Sequence, residues 1–173
     1  MNEDFFPSSD YKVPSSPSNY FKFEDGGNMF RVLSSAIVGW EYWTQGNKPV
    51  RSRTMFEETP RDIKLDKDNN PTKIKHFWAF VVWDYKDMRI KILEISQKSI
   101  QDGIKALVDN KKWGNPKKYD ISVTRQGEGF DTSYTVMPNP HEDVGFEISQ
   151  AFDSKKINLE ALYTGGDPFK LED

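Results

Sequence analysis

"HFWAFVVWDYKDMRIKILEIS", residues 76–96, decides the fold of this chain. Two runs rich in aromatic and β-branched residues, Lys75 to Tyr85 and Met88 to Ile95, are separated only by a tight turn at Lys86-Asp87, the pattern of a β-hairpin. Side chains alternate along a strand, so the rings sort by parity. Lys75, Phe77, Ala79, Val81, Trp83 and Tyr85 share one face; Ile74, His76, Trp78, Phe80, Val82 and Asp84 share the other. Neither face is polar throughout. Rings on both faces mean that both are covered, or that one carries exposed aromatics for a purpose. In the second strand Arg89, Lys91, Leu93 and Ile95 lie on one side, which places two cations on a sheet already rich in rings.

Outward from this hairpin the periodicity changes. Ser96 is the expected N-cap of a helix whose apolar face is Ile100, Ile104, Leu107 and Val108 and which ends before Gly114. Two further strands, Tyr119 to Arg125 and Thr132 to Met137, flank Gly127-Glu128-Gly129. Upstream, a short strand begins near Tyr20, a turn falls at Asp25-Gly26-Gly27, and a long strand runs to Trp43 with a bend expected at Gly39. Thr44 to Thr72, charged and broken by Pro49, Pro60 and Pro71, reads as a long surface loop. Three strands, one helix and two strands is the order of an OB-fold. The expected fold is therefore mainly β: a five-stranded Greek-key barrel with one helix between strands 3 and 4, and flexible termini. The expected division is a flexible arm rich in Ser and Pro over 1–18, the barrel over 19–140, and an acidic C-terminal segment with a short helix over 141–173.

The 173 residues amount to about one domain. With no Cys, disulfides, thiolate zinc sites and Cys nucleophiles are excluded. The acidic start lacks the pattern of a signal peptide and no stretch of about 18 apolar residues follows, so a cytoplasmic protein with no membrane partner is expected. The net charge of -3 conceals a division: residues 20–137 carry 20 basic and 16 acidic side chains, whereas both ends are acidic. A mildly basic centre suits a polyanionic partner. No catalysis, metal or cofactor is expected. His76 and His141 stand alone, and Asp66-x-Asp68-x-Asn70 begins like a calcium loop but has Pro71 where Gly is needed and Phe77 where the bidentate Glu belongs.

Rings interleaved with cations on a barrel suit single-stranded nucleic acid: bases stack on rings at roughly 1–3 kcal/mol each, and cations add a salt-dependent term. The candidates are Trp40, Tyr42, Trp43, Lys48, Arg51 and Arg53 in "GWEYWTQGNKPVRSR"; Lys75, Phe77, Trp78, Trp83, Arg89 and Lys91 in the hairpin; and Arg125 at the last turn. The face carrying Lys75 and Phe77, with Arg89 and Lys91 beside it, is the favoured surface. The alternative is a barrel module that binds proteins or serves as a structural subunit without touching nucleic acid.

"GWEYWT", "NKPVRSR", "FWAFVVWDY", "IKILEISQKSIQDGIKAL", "WGNPKKYDISVTRQGEG" and "TSYTVMPNP", in this order over about residues 20–140, resemble the single-stranded DNA-binding proteins of tailed bacteriophages. The resemblance implies an OB-fold that coats single-stranded DNA in replication, recombination and repair without base specificity. It points to Trp40, Tyr42, Lys48, Arg51, Arg53, Lys75, Phe77 and Trp78. The zinc-binding insertion of T4-like members has no counterpart here. The terminal "GGDPFKLED" resembles the acidic tips with which such proteins recruit replication or recombination partners, which makes Asp167, Phe169, Glu172 and Asp173 the candidate partner-binding residues.

Overall fold

The computed structural model describes residues 18–170 together with 5, 8 and 9, so most of the N-terminal arm lies outside the described residues. Its strands are β1 (Gly26–Val32), β2 (Ile37–Trp43), β3 (Pro49–Ser52), β4 (Lys75–Asp84), β5 (Arg89–Ile95), β6 (Tyr119–Gln126) and β7 (Ser133–His141). The helices are α1 (Lys98–Asp109), α2 (Phe146–Ser154) and α3 (Ala161–Thr164). All seven strands join one antiparallel sheet in the order β3-β2-β4-β1-β6-β7, with β5 on the other edge of β4. The sheet is not closed: among the described residues no strand pairing joins β5 to β7. No helix is long and apolar enough to cross a membrane.

Two differences raise the strand count from the expected five to seven. The long first strand is broken at 33–36, and its halves occupy the same edge of β4, β2 along Lys75 to Ala79 and β1 along Val82 to Asp84. Val81 faces the break without losing its hydrogen bonds, because its carbonyl accepts from Leu33 N–H at 2.9 Å and its N–H donates to Ser34 Oγ at 2.8 Å. A serine hydroxyl thus substitutes for a strand partner, and this bend signal differs from glycine. Gly39 instead permits a close approach, since a Cβ there would collide with the carbonyl oxygen of Ser52 where β3 crosses. The second difference is β3 itself, formed within the expected loop and paired from Trp40↔Ser52 to Trp43↔Pro49.

The rest of that loop is also organised. Thr72 N–H donates to the Lys64 carbonyl at 2.9 Å across a tight excursion, and Asp66 Oδ1 accepts from the N–H groups of Asp68 and Asn70. The calcium-like spelling is therefore an aspartate closing its own turn. Helix α1 starts after Gln97 rather than at Ser96 and has no side-chain cap; buried Gln101 donates Nε2 to the carbonyls of His76 and Ile95 and so fixes the helix to the hairpin.

Both faces of the central hairpin are buried. The inner core brings Phe30, Val32, Phe80, Val82, Leu93 and Ile95 against Ile100 and Ile104 of α1 and against Tyr119, Ile121 and Val123 of β6. The outer face, Phe77, Ala79, Val81, Trp83, Ile90 and Ile92, lies under Ile148, Leu159, Leu162 and neighbouring apolar residues of the C-terminal segment. Each large side chain so buried contributes roughly 1.5–3 kcal/mol. This explains the unbroken apolar run of β4, since a strand covered on both sides has no polar alternation to show.

Candidate nucleic-acid interface

Trp43 ends β2 on the outer face, in register with Pro49 and one alternation beyond Glu41. Its ring is 46% exposed, the most of any Trp among the described residues. It divides two hollows. One is lined by Asn47, Lys64, Thr72, Lys73 and Lys75; the other by Tyr20, Lys22, Lys48, Arg51 and the Gly165-Gly166 turn. The Lys64–Thr72 excursion is held against the ring by Lys64 N–H, which donates to the Trp43 carbonyl at 2.7 Å. Lys22, Lys48, Lys64, Lys73 and Lys75 are all exposed, and no ion pair occupies any of them among the described residues. The result is a flat ring with ammonium groups on both sides, an arrangement able to stack a base while neutralising the flanking phosphates.

No family model matches the chain, and no solved structure matches it. The chain is similar to the probable ssDNA-binding protein of Escherichia phage T5. The two are 26% identical over 144 residues, an alignment covering 68% of this chain and 53% of the T5 protein. The chain thus spans about half the length of the curated relative it matches. The resemblance to phage single-stranded DNA-binding proteins carried by the motifs is met in this relative.

The other candidate rings are less accessible. Phe77 is 0% exposed beneath Leu162 and Tyr163, and Trp83 is buried with Ile90 and Ile148, so neither offers a free face in this arrangement. Tyr42 is buried and donates its hydroxyl to Asp62 at 2.9 Å. Trp40 is half-buried with its ring 5.0 Å from His76. Trp78 packs at the edge of the inner core.

The cations divide into paired and unpaired. Arg51 bridges Glu94 at 2.7 Å and Glu41 at 3.3 Å, with its guanidinium 5.8 Å above Phe77. Arg53 is exposed, pairs with Glu160, and stacks 4.2 Å over Tyr163. Arg89 and Lys91 are in register with Asp84 and Val82, which places them on the face opposite Phe77 rather than beside it. Lys91 is buried between Asp84 at 2.7 Å and Asp87 at 2.5 Å; Arg89 donates to Asn19 at 2.7 Å; Arg125 holds Asp25 at 2.5 Å. Of the basic candidates, Lys48 and Lys75 join Trp43, and the structure adds Lys22, Lys64 and Lys73. The signal for Lys73 was present in the sequence, because it stands two residues before Lys75, where β4 begins.

In the C-terminal segment Asp167 accepts from Phe169 N–H at 2.9 Å, and the Phe169 ring meets Tyr20 edge-on at 5.7 Å. Glu172 and Asp173 lie outside the described residues.

The carboxyl of Glu41, beneath this surface, is pushed up to about 8, first by burial and then by neighbouring Glu94, with Arg51 opposing. Its Oε2 has no hydrogen-bond partner although Arg51 Nε approaches it. The folded state holds the Glu41 proton more tightly than the unfolded chain, whose value is near 4.5. The stabilisation is therefore complete below about pH 4.5 and is lost as the pH rises to about 8. Glu41→Gln, which keeps the shape of the protonated acid, is expected to flatten this part of the pH profile and to be more stable than wild type at pH 9. Urea midpoints at pH 5, 7 and 9 measure it, and parallel profiles would refute it.

Proposed function

We propose that this chain binds single-stranded DNA without sequence preference, seating a base on Trp43 and the adjoining phosphates on Lys22 and Lys48 on one side and on Lys64, Lys73 and Lys75 on the other. The observation that carries the reading is the half-exposed indole between two hollows lined with unpaired lysines. The T5 relative named as a probable ssDNA-binding protein supports it.

The strand pairing supports an OB-type barrel as the scaffold. Taking β1 and β2 as one bent strand, the pairings β2·β4 and β1·β4, β4·β5, β1·β6 and β6·β7 follow the Greek-key order of that fold. On this scheme β3 and the Lys64–Thr72 excursion belong to the loop between the first and second barrel strands, one of the two loops with which OB-folds grip oligonucleotides. The role is non-enzymatic: to coat and protect single strands during phage DNA replication, recombination and repair. Asp167 and Phe169, with the acidic end, are a docking point for replication or recombination proteins.

Titration of the full chain with oligo-dT, followed by Trp fluorescence, tests this reading. Quenching is expected, with a log–log salt slope of about -2 to -3.5 if three to five of the lysines meet phosphates, at about 0.7 per contact. Binding to duplex of equal length should be much weaker. Equal affinity for duplex, or no quench at low salt, would sink the proposal.

A further inference from the structure

The two hollows beside Trp43 are joined by a cluster of two carboxyls and one guanidinium. Glu41 lines the hollow that holds Lys64, Lys73 and Lys75; Arg51 and Glu94 line the hollow that holds Lys22 and Lys48. Arg51 stands directly across from Glu41 on β3. It gives Glu94 a short Nη2 contact of 2.7 Å and leaves Glu41 Oε2 a poorer approach of 3.3 Å. That oxygen is buried and has no hydrogen-bond partner. One cation thus serves two carboxyls unequally, and Glu41, served less well, is the one whose burial favours the protonated form.

On its other side Glu41 faces a residue of the candidate site. Lys75 stands directly across from it on β4, so the two side chains leave the same face of the sheet with Cβ atoms about 5 Å apart. A protonated Glu41 leaves the Lys75 ammonium uncommitted. An ionised one sets a carboxylate within its reach, in competition with a phosphate. The charges around Glu41 are those of Arg51 on β3, Lys75 on β4, Glu94 on β5, and Lys64 and Lys73 on the excursion. Beyond Arg51 stands the Tyr20 hydroxyl, raised above its usual value by burial. The Glu41 carboxyl, at about 8, changes charge just above neutral pH.

We infer that Glu41 is a proton-operated switch on the candidate DNA surface, an inference that rests on the reading of that surface given above. Protonated, Glu41 leaves Lys75 to the phosphates and Arg51 to Glu94. Ionised, it draws on both cations and makes the cluster beneath the strand negative. Linkage requires the converse: a bound strand raises the proton affinity of Glu41 as much as the proton raises the affinity for the strand. The affinity so gained is complete well below pH 8 and is lost as the pH rises through about 8 toward the higher value of the complex.

Titration of the full chain with oligo-dT at fixed salt and pH 7, 8 and 9 tests the switch, with circular dichroism checking that the fold persists at pH 9. Wild type is expected to lose about fivefold in affinity between pH 7 and pH 9, for a coupling of about tenfold in all. Glu41→Gln, which keeps every other titratable group, should bind nearly alike at the three values. Calorimetry at pH 8 in two buffers of different ionisation enthalpy should show net proton uptake on binding by wild type and none by Glu41→Gln. Glu94→Gln is the second variant, needed if Glu41→Gln does not fold. It removes a charge that holds the proton on Glu41 and leaves Arg51 to oppose it, so the fall in affinity should begin at lower pH. Parallel profiles for wild type and Glu41→Gln, binding without proton uptake, or a Glu94→Gln profile unmoved from wild type would each overturn the switch while leaving DNA binding in place. Absence of binding at every pH would remove the DNA reading of the surface and the switch with it.

Discussion

Trp43→Ala is expected to raise the dissociation constant for oligo-dT by about 5- to 150-fold, the equivalent of losing one stacked base at roughly 1–3 kcal/mol. The salt slope should stay as in wild type, because the lysines on either side are untouched. This pairing of effects separates stacking from damage to the fold. The ring is half-exposed at a strand end and its backbone carbonyl, not its side chain, holds the Lys64–Thr72 excursion, so truncation leaves the scaffold standing. Lys73→Ala and Lys75→Ala should do the converse, each reducing the slope by about 0.7 with a smaller loss at low salt. Fluorescence titrations at two salt concentrations read both quantities. An unchanged affinity of Trp43→Ala would remove the indole from the site.

The largest expected loss of stability comes from Arg31→Ala. Arg31 is 2% exposed in the middle of β1, directly across from Asp120 of β6. Its Nε donates to Asp120 Oδ1 at 2.7 Å and its Nη1 to the Lys117 carbonyl at 3.3 Å; Tyr85 donates its hydroxyl to the same Asp120 oxygen at 2.7 Å. Removing the cation leaves a carboxylate and a carbonyl facing a void in the interior. Breaking a buried pair in this way costs about 3–5 kcal/mol, and a chain of this size loses about 6–20 °C in Tm. Arg31→Met combined with Asp120→Leu should lose less than the two single changes together, since no charge is then left alone. Thermal melts of the four proteins decide it, and a drop of under 2 °C for Arg31→Ala would show that the pair carries little.

The two hairpins and α1 were legible because periods of two and of 3.6 residues write themselves into the apolar pattern. What escaped was the partner of each face. Lys91 alternates with surface-like residues on paper, yet Asp84 and Asp87 neutralise it, and a neutralised ammonium can be buried. Phe77 and Trp83 looked like a surplus of rings for one small interior; they fill a second core, whose other half is spread thinly over Ile148, Ile157, Leu159 and Leu162 in a segment read as acidic with a short helix. Net charge hides such a segment, because its few apolar residues matter by position rather than by number. Trp43, Lys48 and Lys75 were visible from the sequence as ring and cations. Their convergence with Lys22 and Lys64 needed the register of β2 on β3 and β4 and the path of the loop, neither of which local pattern specifies.

The first and last stretches of the described chain meet at one place. Asn19 and Phe21 pair with Ile92 along the open edge of β5, and the Tyr20 ring beside them touches Phe169 next to the hollow that holds Lys22 and Lys48. A label attached at Asn19 or Phe169 therefore stands within reach of the ring and lysines that an assay would probe. A polyhistidine or acidic tag would add its own charge to the measured salt dependence. Tag-free protein keeps the measurement on the molecule itself.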